Sequence, residues 1–310
     1  MRWDQLPRGD EDVEDRTGDT GPSGPSGFPS SFPIGGGHLG IGGMLILGLI
    51  GYALGIDPRM LIGGADILLG NNQQTQQRAP NTAPRPTGQL TSADAPFVSS
   101  VLRSTAVTWQ MIFEKNGQTY TRPRLVMFSG STNSGCGTAQ SQMGPFYCPN
   151  DRLIYLDTSF FKDLEVRFRG CAGKACEFAR AYVIAHEVGH HVQNLFDILP
   201  KAQAQQRASS DRAAANRIQV RVELQADCYA GVWAYHANEK WSSLLEPGDI
   251  EAALKTAAAI GDDMLQRQAG GRVVPDSFTH GTSEQRSRWF NIGFKQGSVA
   301  ACNTFAASNV

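Results

Sequence analysis

The chain has 310 residues, enough for one large domain or two small ones and for a substantial buried core. Its 28 basic and 29 acidic residues give a net charge of −1, so no global field attracts nucleic acid or an anionic membrane surface. We therefore expect no nucleic-acid partner.

The N-terminal third is rich in glycine and proline and contains one long apolar run. Residues 1–34 lack a helical or strand period, and we interpret them as a disordered arm. No residue is charged over the 18 positions from Leu39 to Ile56, close to the minimum length of a membrane-spanning helix. Residues 35–62 are predicted to be a transmembrane signal anchor, because the polar leader is too long for a cleaved signal peptide and no A-x-A pattern follows. Residues 63–95, polar and proline-bearing, are predicted to be a flexible linker.

The folded domain is predicted to comprise residues 96–310. Apolar residues at helical spacing predict a helix in 96–115, and two short apolar runs, RLVMFSGS and RLIYLDTSF, predict strands separated by a loop. Four more segments are predicted to be helical: Glu177 to Phe196, Arg217 to Glu239, Asp249 to Gln268 and Ser283 to Lys295. Few strands followed by many helices indicate an α+β domain in which helices dominate.

Six cysteines follow residue 130, and none forms a C-x-x-C motif: Cys136, Cys148, Cys171, Cys176, Cys228 and Cys302. The first four make two close pairs around glycine-containing loops, which favours local disulfides over a zinc knuckle and leaves the last two for a long-range bridge. Disulfides persist in oxidising compartments, so this pairing predicts a domain outside the cytoplasm. Six reduced thiols in a cytosolic protein are the alternative.

The stretch VIAHEVGHHVQ, residues 183–193, contains an H-E-x-x-H motif, the signature of zincin peptidases. His186 and His190 are four positions apart, which on a helix brings both imidazoles to one face, where they can bind one divalent ion. Glu187 projects beside them and can take a proton from a water molecule whose pKa the metal lowers. His191 points away from the pair and is predicted to be a supporting or surface histidine.

A catalytic zinc needs a third protein ligand and an open position for water. Eight downstream residues are candidates: Asp211, Glu223, Asp227, His236, Glu239, Glu246, Asp262 and His280. Glu223 and Asp227 lie in RVELQADCYAGVWA, whose apolar stripe predicts a buried helix. Because a buried carboxylate is costly without a partner, the pair indicates a cation or a proton-sharing partner nearby. Glu223 as ligand and Asp227 as acceptor for the free N–H of a ligating histidine would satisfy both. Alternatively both are solvated or paired with Arg217 and Arg221.

The two motifs together resemble the gluzincin pattern, in which H-E-x-x-H is followed by an E-x-x-x-D helix. More narrowly, the chain resembles, nearly from end to end, a bacterial family of membrane-anchored neutral zinc metallopeptidases of largely unassigned substrate. The segments that carry the resemblance are MRW, VEDR, GIDPRMLIGG, GPFYCPND, IYLDTSFF, DDMLQRQAGGRVVPDSFTHGTSEQR and ACNTF. The insertion GCAGKAC departs from the family pattern, so the resemblance implies no role for Cys171 and Cys176.

This resemblance implies one zinc ion per chain, bound by His186, His190 and Glu223, with Glu187 as general base and Asp227 orienting His186. It also implies a gluzincin-like catalytic domain with a short sheet. In that fold IYLD would be the strand before the active-site helix, as gluzincins pair an edge strand with extended peptide substrate.

The segment THGTSEQR resembles the T-H-P…R segment of the integral-membrane prenyl-protein peptidases and their bacterial relatives. By this resemblance His280 would stabilise the tetrahedral oxyanion. Arg286 would lie nearby, in a helix that Thr282 and Gln285 cap. Gly281 stands where the pattern has proline, and a loop histidine with a structural hydrogen bond is the alternative for His280.

Two functions fit these patterns. The first is a zinc endopeptidase acting on a peptide or protein substrate, anchored by a single pass in the bacterial inner membrane, with its catalytic domain in the periplasm or another extracytoplasmic space. Glu187 would deprotonate the zinc-activated water and then pass the proton to the leaving amine. The second is a catalytically silent, zinc-stabilised binding or scaffold protein of the cell envelope. A structural zinc site closes with four protein ligands and needs no general base, so Glu187 favours the enzyme.

Overall fold

The structure is a computed structural model that describes residues 1–19, 90–242, 244–268, 273–308 and 310. Over these residues it is a helix-dominated α+β fold, as the sequence predicted. The helices are α1 Ala95–Lys115, α2 Phe160–Val166, α3 Ala175–Leu195, α4 Ile198–Arg207, α5 Arg212–Lys240, α6 Asp249–Ala259, α7 Asp262–Gln268 and α8 Ser283–Gln296. The strands are β1 Val13–Arg16, β2 Arg124–Phe128, β3 Ser131–Ser134, β4 Gly137–Gln140, β5 Phe146–Cys148 and β6 Leu153–Asp157.

Four of the strands form a mixed sheet in the order β1-β2-β6-β5. Strands β1, β2 and β6 are parallel, whereas β5 runs antiparallel to β6 and is one edge of the sheet. All five residues of β6 are buried, as expected for an interior strand covered on both faces. Strands β3 and β4 form a separate antiparallel hairpin.

Three sequence predictions of local structure need correction. The predicted loop between β2 and β6 contains the β3–β4 hairpin and β5. Each of these strands has only three or four residues, too few to show an apolar period, and β3 and β4 are also mostly polar. The predicted helix from Asp249 to Gln268 is interrupted between α6 and α7. At that break a Cβ on Gly261 would lie 2.6 Å from the backbone nitrogen of Ser283, so the close approach to the start of α8 requires glycine at this position. Helices α2 and α4 were not predicted.

Helices α3, α5 and α8 pack against one another and form the centre of the core. Helix α8 lies so close to α5 that a Cβ on either Gly231 or Gly293 would collide with the backbone of the opposite helix. Such close approach depends on glycine at both positions. It fixes α8 firmly beside the helix that carries Glu223 and Asp227.

The N-terminal residues belong to the folded body, so the predicted disordered arm is wrong for residues 1–19. Two short 3-10 helices, Trp3–Gln5 and Asp10–Asp12, lead into β1, and Met1, Leu6 and Val13 are buried in the core. Residues 20–34 lie outside the described part of the chain.

Strand β1 shows no apolar pattern because most of its residues are charged, and arginines within it and far along the chain pair with the acidic residues of this segment. Asp12 accepts a hydrogen bond of 2.8 Å from Arg122. Glu14 accepts one of 2.8 Å from Arg16, whose guanidinium also donates to Thr132. A charged run thus folds as a strand when its carboxylates pair with Arg16, inside the strand, and with Arg122, more than 100 positions away.

The predicted transmembrane anchor, residues 35–62, and nearly all of the predicted linker lie outside the described residues. The last residues of the predicted linker are described, and Ala95 begins α1. Within the part of the chain that the structure describes, no helix combines the length and the hydropathy needed to cross a membrane.

Asp15 joins the two described ends that flank residues 20–89. Its carboxylate accepts hydrogen bonds from the backbone and hydroxyl of Thr17, at 2.9 and 2.6 Å, and from the backbone nitrogens of Thr91 and Ser92, at 2.7 and 2.8 Å. Burial opposes ionisation, but these hydrogen bonds prevail and lower the pKa of Asp15 to about 2. The ionised carboxylate therefore stabilises the fold.

We expect Asp15→Asn to lower the free energy of unfolding at pH 7 by about 1–2 kcal/mol, the magnitude of partly solvent-screened hydrogen bonds to a charged group. The folded-state pKa lies below the unfolded value of about 4, so this stabilisation is present above pH 4 and is lost as the pH falls toward 2. Urea unfolding of both proteins across this range measures it. A stability difference that does not shrink between pH 4 and pH 2 would contradict the assignment.

The disulfide predictions agree with the structure. Two bridges are local, and the third joins α5 to the 3-10 helix Val299–Cys302 near the C-terminus. The bridges are Cys136–Cys148, Cys171–Cys176 and Cys228–Cys302.

Because all six cysteines are paired, we expect no reactive thiol in the denatured, unreduced protein. Thiol titration before and after reduction measures this, and the reduced protein serves as the control with six thiols. Six thiols already present before reduction would contradict the bridges and would favour a reducing compartment.

Candidate metal centre

Three side chains from two adjacent helices converge on one point. His186 and His190 project from α3 and Glu223 from α5, and one donor atom of each lies within 4.8 Å of the other two. The Nε2 atoms of His186 and His190 lie 3.2 and 3.5 Å from Oε2 of Glu223. Two imidazole nitrogens and one carboxylate oxygen are a donor set of catalytic zinc sites, so these residues fit the predicted ion.

A close contact between α3 and α5 produces this convergence. Gly189, between the two histidines, faces α5, where a Cβ would lie 3.0 Å from the carbonyl oxygen of Ala226. The absence of a side chain lets the helices approach, so that Glu223, one turn before Ala226, faces both imidazoles.

The charge of the centre favours a cation. Burial opposes ionisation of Glu223, but His190 and His186 lower the pKa of Glu223 well below its usual value. Burial likewise opposes protonation of His186, yet the carboxylates of Asp227 and Glu223 raise the pKa of His186 to about 10. The carboxylates of Glu223 and Asp227 thus stabilise positive charge at this site.

Asp227 holds His186 from the side opposite the ligand face. Its Oδ1 lies 2.8 Å from Nδ1 of His186, and it also accepts from Tyr182 at 2.6 Å and from Arg286 at 2.9 and 3.0 Å. Burial opposes ionisation, but Arg286 and His186 hold the pKa of Asp227 at about 2. An ionised Asp227 accepts the Nδ1 proton, so Nε2 of His186 is the ring nitrogen that a metal would bind in place of its proton.

The two arginines predicted as alternative partners of Glu223 and Asp227 contact other groups. Arg217 lies 4.0 Å from Asp276, and Arg221 donates to the backbone carbonyls of Thr304 and Ala307. Arg286 takes their place, because the predicted capping box of Thr282 and Gln285 starts α8 beside α5.

Sequence reasoning missed Gln193, which holds His190. Its Oε1 lies 2.9 Å from Nδ1 of His190, and it is fully buried. A second glutamine, Gln219, donates to Oε1 of Glu223 at 2.7 Å. Both lie one helical turn from the ligand that they contact, and that spacing is the signal that could have identified them.

Glu187 lies beside the three ligands and is buried, with 6% of its surface exposed. Among the described residues none donates a hydrogen bond to its carboxylate. Burial raises the pKa of Glu187, although the imidazoles of His190 and His186 oppose this. A buried carboxylate with a raised pKa and free oxygens can accept and return a proton.

The family model with the description "Putative neutral zinc metallopeptidase" matches residues 1–305. The chain belongs to this family. The resemblance seen in the motifs is therefore confirmed. Uncharacterized protein YpfJ of Escherichia coli (strain K12) is 46% identical over 309 residues, 99% of this chain and 100% of the relative. Uncharacterized protein Rv2575 of Mycobacterium tuberculosis (strain ATCC 25618 / H37Rv) is 48% identical over 201 residues, 62% of this chain and 65% of the relative. No solved structure matches the chain.

His191 points away from the three candidate metal ligands, as its spacing predicted, but its side chain is buried rather than at the surface. Its Nε2 lies 2.6 Å from the carbonyl of Thr121 and its Nδ1 lies 3.2 Å from the hydroxyl of Tyr147. Burial lowers the pKa of His191 to about 4. A neutral His191 therefore ties α3 to β5 and to the segment before β2.

His280 lies at the margin of the centre, in the loop before α8, with 51% of its side chain exposed. Its Nδ1 lies 3.1 Å from Asp262, and desolvation is outweighed by Asp262 and Glu223, which raise the pKa of His280. The next residue, Gly281, has a φ of 88°, which proline cannot adopt. The loop therefore differs in backbone from the T-H-P pattern.

The other candidates for a third ligand have other contacts. Asp211 caps the start of α5, Glu246 pairs with the N-terminal amine, and His236 lies against the carbonyl of Gly297. In the described ranges, only the group of His186, His190 and Glu223 brings three possible metal ligands together.

Proposed function

We propose that the protein is a zinc-dependent peptidase that hydrolyses peptide bonds, with Glu187 as general base. The observation that carries this proposal is the convergence of His186, His190 and Glu223 within 4.8 Å beside a buried carboxylate free of hydrogen bonds from described residues. Membership in the zinc metallopeptidase family supports it.

Bound zinc would lower the pKa of a water molecule and polarise the scissile carbonyl. The residues of the chain would perform the proton transfers. Glu187 would take a proton from the attacking water and give it to the leaving amine, and its raised pKa suits the second step. His280, held by Asp262, would donate to the carbonyl oxygen as negative charge develops there.

The substrate would bind in extended form along β5. Strand β6, which contains IYLD, lies between β2 and β5 and so offers no free edge, whereas β5 is an edge strand. Tyr147 of β5 accepts a hydrogen bond of 3.0 Å from Asn194 of α3, which fixes this edge to the helix of the H-E-x-x-H motif. An edge strand in this position can pair with a peptide backbone, so we assign the substrate-pairing role to β5.

A gluzincin-like arrangement and attachment to the bacterial inner membrane are also part of the proposal. The order of the H-E-x-x-H helix, the Glu223 helix and a mixed sheet with an antiparallel edge strand supports the first. The uncharged run from Leu39 to Ile56 supports the second. Three disulfides support exposure to an extracytoplasmic space such as the periplasm.

Digestion of a peptide library by the purified full-length chain tests the proposal. The full chain is needed because β1 and Met1 pack into the domain. We expect cleavage by the zinc-loaded protein, loss of cleavage with a chelator and recovery on addition of zinc. Intact peptides after incubation with protein that contains stoichiometric zinc would overturn the peptidase and leave the scaffold as the function.

A further inference from the structure

Two buried glutamine side chains, Gln193 and Gln225, form a hydrogen-bonded chain that starts at Nδ1 of His190, the ring nitrogen on the side away from Glu223. Gln193 donates from Nε2 to the carbonyl of Val222 at 2.8 Å and to Oε1 of Gln225 at 3.0 Å. Gln225 in turn donates from Nε2 to the carbonyl of Cys302 at 2.9 Å. Gln193 and Gln225 are 0% and 4% exposed.

The carbonyls at the ends of this chain fix its direction. A backbone carbonyl can only accept, so the amide nitrogens of Gln193 and Gln225 face Val222 and Cys302. The oxygen of Gln193 must then face Nδ1 of His190, which carries the proton. In the neutral imidazole, a proton on Nδ1 leaves the lone pair on Nε2, the nitrogen on the side of Glu223, and this is the tautomer that a metal ligand needs.

The far end of the chain is covalently secured. The Cys228–Cys302 disulfide joins the segment that carries the terminal carbonyl to α5, one residue after Asp227. Thr304 adds a hydrogen bond of 2.7 Å to the carbonyl of Arg221. The acceptor for Gln225 is therefore held against the helix that supplies the third ligand.

We propose that Gln193 is the positioning residue of His190, and that Gln225 and the Cys302 carbonyl hold Gln193 in the orientation that this requires. This inference rests on the proposed metal centre. It assigns to the C-terminal segment a role in metal binding that the ligand residues alone do not reveal.

Zinc affinity of the full-length protein, measured by competition with a chelator, tests this. Gln193→Leu is expected to weaken zinc binding by roughly 10- to 100-fold, the usual effect of removing a residue that orients a ligand. Gln225→Leu should weaken it in the same direction. The matched control is Asn194→Leu, which removes a hydrogen bond of the adjacent residue to Tyr147 outside the amide chain and should leave zinc affinity within about twofold of wild type.

The measured zinc affinities test the role of Gln193 separately from the existence of the metal centre. Wild-type zinc affinity in Gln193→Leu would overturn the positioning role of Gln193. Wild-type zinc affinity in Gln225→Leu would overturn the role of Gln225 in holding Gln193. An equal loss in Asn194→Leu would mean a general loss of packing and would also overturn it. If the wild type binds no zinc, the metal centre itself fails.

The two described segments that flank residues 20–89 belong to one folded body. Residues 1–19 and the residues after 90 share one sheet and one core: Val13 to Arg16 pair in register with Leu125 to Phe128. The backbone of Gly9 donates to Ser99 at 3.0 Å. Both described ends of the intervening stretch bind the carboxylate of Asp15.

A single crossing of a bilayer between Asp19 and Leu90 would place β1 and β2 on opposite sides. These strands are hydrogen-bonded neighbours, so the single-pass arrangement expected from the sequence conflicts with the fold. We infer that residues 1–19 and the described residues from Leu90 onward lie on the same side of any membrane to which the protein is attached.

Cysteine labelling in spheroplasts tests the inference with the full-length protein. Gly18→Cys and Lys201→Cys place a thiol at exposed positions before and after the intervening stretch, with open space around Gly18 and 70% exposure at Lys201. The native cysteines are paired and do not compete for the reagent. With a membrane-impermeant maleimide we expect both positions to be labelled or both to be protected, and both to be labelled after detergent lysis. Labelling of one position and protection of the other in spheroplasts would overturn the inference.

Discussion

Replacement of Glu187 by glutamine is expected to lower peptide cleavage by roughly 10²- to 10⁴-fold, the usual contribution of a positioned general base. Glutamine has nearly the same shape but cannot accept the proton of the attacking water. Because Glu187 lies outside the ligand group, zinc should remain at about one ion per chain. Steady-state cleavage of a peptide identified from the library, together with elemental analysis, measures both quantities.

Glu177→Gln is the matched control for this variant. Glu177 is the other glutamate of α3, in the first turn of the helix, three turns from the ligands. The Glu177→Gln variant should cleave peptide at the wild-type rate, because it keeps the carboxylate of Glu187, the proposed base. Wild-type cleavage by Glu187→Gln would overturn the mechanism, whereas loss of zinc from that variant would mean that Glu187 helps to bind the metal.

The sequence identified the residues that converge at the candidate metal centre more completely than it identified the elements of the fold. His186, Glu187 and His190 follow from a local spacing on one helix, because positions four apart share a face. Glu223 and Asp227 could be selected from eight candidates because their helix has an apolar stripe and buried carboxylates need partners. The structure places both where that argument expected them.

Non-local partners account for what the sequence left out. Strand β1 consists of Val13–Arg16, mostly charged, and its order depends on β2 and on Arg122, all more than 100 residues away. Arg286 was located near the site by resemblance, but its pairing with Asp227 depends on the close approach of α8 to α5. Such contacts arise from packing, so no local period in the sequence reports them.

The prediction of a single-pass anchor shows the same dependence on non-local contacts. The apolar run from Leu39 to Ile56 satisfies the length rule for a spanning helix, but that rule examines the run alone. The topology depends on what its flanks do, and here the flanks pair in one sheet. A prediction of membrane crossings from hydropathy is therefore incomplete until the partners of both flanking segments are known.

Replacement of Glu223 by alanine is expected to remove zinc from the protein. The variant keeps only two imidazole ligands and loses the carboxylate that lies 3.2 and 3.5 Å from their Nε2 atoms. We expect a loss of affinity greater than the roughly 10- to 100-fold caused by changing a residue that only supports a ligand. Elemental analysis after dialysis and chelator competition measure this, and circular dichroism checks that the variant is folded.

Glu239→Ala is the control for this second variant, because Glu239 is on the same helix, is exposed and was an alternative candidate for the third ligand. It should retain about one zinc ion per chain. Full zinc occupancy in Glu223→Ala would show that another residue completes the site. Loss of zinc from Glu223→Ala but not from Glu187→Gln would separate the two carboxylates by role, one binding the metal and the other moving the proton, although both lie against the same pair of histidines.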